Sequence, residues 1–153
     1  MKTFTKALIL SVAACVTLMA DAGPITDNVP VTVNVQPECE FTNQSTAPEL
    51  AFGDYYAYST EDLTATTDVN FRCVENTDYE VVVTSDNGDV LTNGSSQLEY
   101  SWEATGDMGG TSDSTTAVRT ITIAGVLPGT GSQVLTDLTT GEHTDNLLVT
   151  INY

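Results

Sequence analysis

Apolar and polar residues alternate along much of the chain that follows Gly23. The clearest example is the segment 29–36, in which every second residue is a valine: Val29, Val31, Val33 and Val35. A period of two places the four valines on one face of an extended strand. Pro30 cannot donate a hydrogen bond to a neighbouring strand, so we expect this strand to begin at a sheet edge or outside a sheet.

Five further segments show the same alternation or a run of β-branched residues. They are Leu63–Cys73, 79–84, 97–103, 118–124 and 146–153. Asn-Gly pairs at 87–88 and 93–94 predict tight hairpins, and glycine-rich sequences at 109–110 and 128–131 predict loops. The mature part of the sequence shows no convincing helical periodicity. The pattern therefore predicts an all-β fold, a sandwich of immunoglobulin-like architecture with about seven short strands.

The first 22 residues have the features of a secretion signal. A positively charged start precedes an apolar run at 7–19, and the small-x-small sequence at 20–22 fits a signal peptidase site. Cleavage there leaves 131 of the 153 residues, enough for a single domain. A lipoprotein cleavage box at 12–15 is an alternative, but the apolar run continues past Cys15, which favours the ordinary signal.

The predicted mature chain is strongly acidic. The sequence has 21 acidic residues and 4 Lys or Arg; removal of residues 1–22 leaves 20 acids against Arg72 and Arg119, a net charge near −18. Such a charge repels nucleic acids and anionic membrane surfaces, so we expect neither as a partner. Any association between copies must then depend on specific, strongly favourable contacts.

Two cysteines remain after the predicted cleavage, Cys39 and Cys73. In an exported protein the default expectation for such a pair is a disulfide, which closes this loop at a gain of about 3–4 kcal/mol. The alternative is a pair of free thiols or a metal pair. Because His143 is the only histidine, we expect no metal site.

Several motifs follow the valine segment and Cys39 in a fixed order. They are LAFGDY at 50–55, VNFRC at 69–73, LEY at 98–100, GVLPG at 125–129 and DNLLVTINY at 145–153. In this order they resemble the spore coat protein U domain, the pilin type of archaic chaperone–usher pili such as Csu pili. The resemblance covers essentially the whole mature chain, although His143 stands where the family usually has an aromatic residue.

The resemblance implies an incomplete immunoglobulin-like β-sandwich that is completed by donor-strand complementation. In the family, a periplasmic chaperone fills the groove left by the missing strand, and an outer-membrane usher exchanges the chaperone for the N-terminal extension of the next subunit. The expected route runs through the periplasm to an extracellular pilus. We accordingly expect a signal peptide at 1–22, a donor-strand extension at 23–36 and a pilin domain at 37–153.

The resemblance also assigns roles to residues. Val29, Val31, Val33 and Val35 are the expected donor residues, and Leu147, Val149 and Ile151 the expected lining of the acceptor groove. Four buried valines at about 1.5–3 kcal/mol each supply about 6–12 kcal/mol before ordering costs. The division between the donor strand and the first strand of the domain is left open.

Other candidate chemistry is weak, and we expect no cofactor and no enzymatic activity. His143 is predicted to lie in a solvated loop without a partner. Asp86 and Asp89 are a possible calcium site, but a turn explains the same residues. Glu61 and Asp62 are adjacent, so in an extended strand they point to opposite faces, which is poor geometry for acid/base work.

The sequence thus predicts a structural subunit, first of all a rod pilin, that supports adhesion and biofilm formation; a minor adaptor position is left open. Its expected partners are identical or related pilin subunits, the chaperone and the usher. The alternatives are a monomeric secreted lectin-like binding module and a coat or matrix protein that shares the domain. Tyr55, Tyr56 and Tyr58 form an aromatic cluster that is either a core corner, a subunit contact or an adhesive surface.

Overall fold

The computed structural model describes residues 26–42, 48–131, 133 and 137–153. The chain divides after Asn34 into two units, and the second unit is Val35–Tyr153. The predicted secretion signal and residues 23–25 of the predicted extension lie outside the described residues. In the described part of the chain, no helix has the length and apolar character needed to cross a membrane.

The described residues of the first unit, 26–34, form no regular secondary structure. Their valines are almost fully exposed: Val29 to 81%, Val31 to 94% and Val33 to 88%. Val35, the first residue of the second unit, is exposed to 68%. The alternating valine segment therefore keeps its apolar side chains in solvent.

The second unit is built from antiparallel strands. Those in the described residues are β1 (Cys39–Phe41), β2 (Leu63–Cys73), β3 (Asp78–Ser85), β4 (Val90–Asn93), β5 (Ser96–Glu99), β6 (Ser101–Gly106), β7 (Gly109–Thr111), β8 (Arg119–Leu127) and β9 (Leu147–Asn152). They form a four-stranded sheet in the order β1-β2-β8-β6, a three-stranded sheet in the order β7-β3-β9 and the hairpin β4-β5.

The inner faces of the two larger sheets share one core. Alternate residues of β2 and β8 pack against alternate residues of β3; the buried set is Val69, Phe71, Cys73, Tyr79, Val81, Ile121 and Ile123. The rings of Phe71 and Tyr79 meet edge to face at 5.3 Å between centroids. The fold is therefore an all-β sandwich consistent with the predicted immunoglobulin-like architecture.

Several predicted strands are confirmed. β2 has the predicted bounds, and its inward-facing residues are those that the alternation places on the apolar face. β3 and β9 lie within one residue of the predicted limits at each end. β8 begins one residue late but runs on to Leu127, three residues past the predicted end, so Gly125 belongs to this strand.

Other predictions are wrong. The predicted strand at 97–103 is two strands, β5 and β6, because the chain leaves the hairpin at Tyr100 and joins the four-stranded sheet. The Asn-Gly pair at 87–88 connects β3 to β4, which lie in different sheets and do not form a hairpin. Gly109 and Gly110, predicted as a loop, pair with β3 as part of β7. The second Asn-Gly pair does form the predicted hairpin, with Asn93 opposite Ser96.

The predicted disulfide joins Cys39 to Cys73, with the two Cα atoms 4.0 Å apart. The two residues lie directly opposite each other in the β1–β2 pair. β1 spans only three residues, so the disulfide anchors a strand that has a short ladder of its own.

Candidate functional site

Strand β9 has one paired edge and, among the described residues, one open edge. It pairs with β3 over six positions, from Glu80 opposite Asn152 to Ser85 opposite Leu147. In the part of the chain that the structure describes, no strand pairs with its other edge. An open edge presents unpaired backbone groups and is a template for another strand.

A large apolar cleft lies beside this open edge, with a volume of about 1590 Å³. Its floor consists of core residues of β2, β5 and β8 together with Tyr100, which joins β5 to β6. All of them are exposed to 7% or less; the strand residues are Val69, Leu98, Ile123 and Leu127. Leu147 and Val149 of β9 form one side of it. The cleft therefore opens directly into the interior of the sandwich.

The three residues predicted to line an acceptor groove share one face of β9, and all are half-buried. Leu147 and Val149 line the cleft, whereas Ile151 packs against the core without lining it. Leu148, on the opposite face, is exposed to 56%.

The first wall of the cleft is the segment 48–59, which the sequence did not assign to the site. Leu50 and Phe52 occupy the space over Gly125 on the inner face of β8. A Cβ atom at Gly125 would lie 2.8 Å from the tip of each side chain, so this position needs a residue without a side chain. Phe52 also meets the ring of Tyr100 edge to face, at 5.9 Å. In the sequence, Gly125 interrupts an alternation of large apolar residues, which is the signal for such a notch.

The second wall of the cleft is the segment 138–147, and His143 helps to fix it. The prediction that His143 is solvated and unpartnered is wrong: the side chain is half-buried, its Nε2 lies 2.7 Å from Ser96 Oγ, and its Nδ1 lies 3.1 Å from the carbonyl of Gly141. Ser96 is 0% exposed and also accepts a hydrogen bond from the backbone N–H of Thr139. Ser96 is closed to solvent, so we assign this serine–histidine pair a structural role. Its hydrogen bonds tie the wall to the β4–β5 hairpin.

Asp145 connects the same wall to the core. Its carboxylate accepts hydrogen bonds from the hydroxyls of Tyr100 at 2.7 Å and Ser85 at 2.6 Å, and from the backbone N–H of Asn87 at 3.0 Å. Burial acts to raise the pKa of Asp145, but these hydrogen bonds outweigh it and hold the pKa below its usual value. Burial, and then the bond to Asp145, raises the pKa of Tyr100.

Two of the four other acidic candidates, Asp89 and Asp62, have structural partners. Asp89 accepts a hydrogen bond from the indole N–H of Trp102 at 2.6 Å, and Asp62 accepts one from the backbone N–H of Gly129 at 2.9 Å. Among the described residues, no group of three or more His, Cys, Asp or Glu side chains is placed to hold a metal ion.

The three clustered tyrosines differ in exposure. Tyr55 is half-buried and packs on the apolar cluster of Leu98, Tyr100 and Leu127, as expected of a core corner. Tyr56 and Tyr58 are exposed to 71% and 94%.

The comparison with protein families matches residues 25–150 to the Spore Coat Protein U domain. The chain belongs to this family. The match includes the valine segment, both walls of the cleft and most of β9. The comparison with curated proteins finds no match. The Spore Coat Protein U domain is a structural, pilin-type domain, and its members are associated with extracellular pili.

Proposed function

We propose that the chain is a structural subunit of an archaic chaperone–usher pilus, in which the valine segment of one copy fills the cleft of the next. One observation carries this proposal: an apolar cleft lies beside a β9 edge with which no described strand pairs, and the same chain exposes a segment of alternating valines. The sheet edge beside the cleft can accept one more strand, and the valine segment has the alternating pattern of a strand but belongs to no sheet among the described residues.

The dimensions of the two features agree. An extended strand rises about 3.4 Å per residue, so the segment from Val29 to Val35 spans about 20 Å, and the six residues of β9 span about 17 Å. When such a strand pairs with the open edge, its main chain forms hydrogen bonds with the unpaired N–H and C=O groups of β9. Its valines all face the cleft, because alternate residues of a strand share one side.

The charges also agree. The described residues of the cleft lining include Glu49, Asp54, Glu142 and Asp145, and none of them is Lys or Arg. Residues 28–37 carry no charged side chain, so this segment enters without like-charge repulsion. Repulsion between whole acidic subunits is screened beyond about 8–10 Å at physiological salt. The burial of four valines, at about 6–12 kcal/mol before ordering costs, is large enough to outweigh what remains.

The same geometry explains the expected partners. An empty apolar cleft and an open strand edge favour aggregation, so a subunit in transit needs a temporary cover. In this pathway a periplasmic chaperone supplies that cover and an outer-membrane usher replaces it with the next subunit. We place the subunit in the rod, because it has both a segment to donate and a cleft to receive. Export through the signal at 1–22 and a role in adhesion and biofilm formation follow from the same proposal.

Polymerisation tests the proposal. The purified chain should form long fibres in electron micrographs, and a donor-disabled variant, Val31→Asp/Val33→Asp, should not. Thr32→Asp/Asn34→Asp is the matched control, because it adds the same two charges to the alternate positions of the strand. Equal fibre formation by the wild-type chain and the donor-disabled variant would refute the proposal.

Complementation is the second test. The donor-disabled chain should bind a synthetic peptide of residues 25–36 and unfold at a higher temperature with it. A peptide with the two Val→Asp changes should have no effect. If the donor-disabled chain is as stable as the complex and ignores the peptide, the cleft is not an acceptor.

A further inference from the structure

The hydroxyl of Tyr55 is buried but has no hydrogen-bond partner among the residues that the structure describes. Tyr55 lines the cleft. The hydroxyl of Tyr100, in the same apolar cluster, instead donates to Asp145 at 2.7 Å. A buried polar group without a partner is unfavourable, so it points to a partner that is absent from the isolated subunit.

The neighbouring backbone has the same character. Residues 48–55 form no strand, and their main-chain groups make no hydrogen bond to any other described residue. Residues 48–55 of this wall therefore offer main-chain hydrogen-bonding groups but use none of them within the described subunit.

We propose that Tyr55 is a polar anchor of the cleft, whose hydroxyl donates a hydrogen bond to a main-chain carbonyl of the incoming strand. The inference rests on the proposed function and identifies a residue that fixes the position of the strand. The side chains that the strand turns into the cleft are valines, which have no polar atoms. Its main chain is therefore the polar partner that the strand offers to Tyr55. Because the hydroxyl is closed to solvent in the empty subunit, residues 48–55 must shift as the strand enters, and no main-chain hydrogen bond to another described residue holds them in place.

The anchor makes the two states of the subunit respond differently to Tyr55→Phe. With the cleft empty, the substitution removes an unsatisfied hydroxyl, so stability stays the same or rises. With the cleft filled, the substitution removes a hydrogen bond, so the incoming strand binds less tightly. A tyrosine that only packs in the core would change both states in the same direction.

The experiment uses the full-length donor-disabled chain, the peptide of residues 25–36 and isothermal titration calorimetry. Tyr55→Phe should weaken peptide binding by roughly 2- to 10-fold, the effect of one hydrogen bond, without lowering the melting temperature of the empty chain. Tyr58→Phe, at an exposed position, should change neither quantity. Tyr100→Phe should lower the melting temperature, because it breaks the bond to Asp145.

A double-mutant cycle tests direct contact. Peptides in which one backbone amide at a time is replaced by an ester carry a weaker carbonyl acceptor at that position. At one position, the effect of the ester should be smaller in Tyr55→Phe than in the parent chain, which shows coupling between the two groups. Additive effects at every position would overturn the anchor.

The outcomes separate the anchor from the proposed function. If the peptide binds the parent chain and Tyr55→Phe equally well, the anchor is wrong and donor-strand binding stands. If the peptide does not bind the parent chain at all, the proposed function fails and the anchor fails with it.

Discussion

The two ends of the sandwich interior differ in how well the chain closes them. At one end, Phe71 and Ile121 are 0% exposed, and the Cys39–Cys73 disulfide joins the adjacent strands. At the other end, the floor of the cleft is just as apolar, but Leu147 and Val149 on its side stay half-buried. Both ends have the same alternating pattern. Closure therefore depends on whether a facing strand edge has a partner, and at the open end the described chain supplies none.

The comparison predicts that substitutions at the closed end act equally on empty and filled subunits. Phe71→Ala should lower the free energy of unfolding by about 3–5 kcal/mol, because it leaves a cavity in a fully buried site. Urea denaturation of the donor-disabled chain, with and without the peptide of residues 25–36, measures both states. A loss that differs by more than about 1 kcal/mol between the states would show that the two ends are not separate.

Removal of the disulfide tests the closed end in another way. Cys39→Ala/Cys73→Ala should lower the free energy of unfolding by about 3–4 kcal/mol, because the unfolded chain regains the freedom of a loop with a sequence separation of 34 residues. The measurement is urea denaturation under oxidising conditions. A reducing agent should lower the free energy of unfolding of the wild-type chain by a similar amount and leave that of the double variant unchanged.

Gly125 tests the notch between the two ends. Gly125→Ala should cost about 1–3 kcal/mol, since the added Cβ collides with Leu50 and Phe52. Gly131→Ala is the matched control, because a Cβ there meets no atom of the described residues within 4 Å. Thermal unfolding of both variants gives the comparison, and equal melting temperatures would contradict the packing of Leu50 and Phe52 over β8.

At the open end, the effect of a substitution should depend on the strand that fills the cleft. Val149→Ala should cost about 1 kcal/mol in the empty donor-disabled chain and about 2 kcal/mol with the peptide bound, because only the filled cleft buries the whole side chain. Leu148→Ala, on the exposed face of β9, should show no such difference. The same loss for Val149→Ala in both states would mean that the peptide does not cover this side chain.

Acidification should affect the open end through Asp145. Because its pKa is lowered in the folded chain, its contribution to stability is present above the unfolded pKa of about 3.9 and is lost as the pH falls through the folded value. Asp145→Asn should therefore lower the melting temperature slightly at pH 7, and this difference should shrink towards pH 3. A constant difference across that range would rule out a contribution from the charge of Asp145.

Much of the fold could be predicted because alternation reports which residues face the core. β2, β9 and the disulfide follow from residues at 63–73, 147–152 and the two cysteines of the exported chain. Alternation does not report which sheet a strand joins, so the transfer of the chain at Tyr100 was missed. β1 and β7 have only three residues each, too few to show a period.

The site could be predicted only in part for a similar reason. Leu147 and Val149 lie on a regular strand, so their face follows from the pattern. Tyr55 and His143 lie on irregular segments, and their environments depend on contacts with strands distant in sequence. Gly125 lies on the regular strand β8 and has a local signal, a gap in a row of alternating apolar residues.

Amide hydrogen exchange along β9 tests the central claim most directly. In an antiparallel strand, alternate backbone N–H groups point towards opposite edges, so about half of those in Leu147–Asn152 face β3 and the others face the open edge. In the donor-disabled chain, the outward-facing amides should exchange rapidly, and the peptide of residues 25–36 should slow them strongly. Outward-facing amides that are already protected in the empty chain, or that stay unprotected with the peptide bound, would contradict the account.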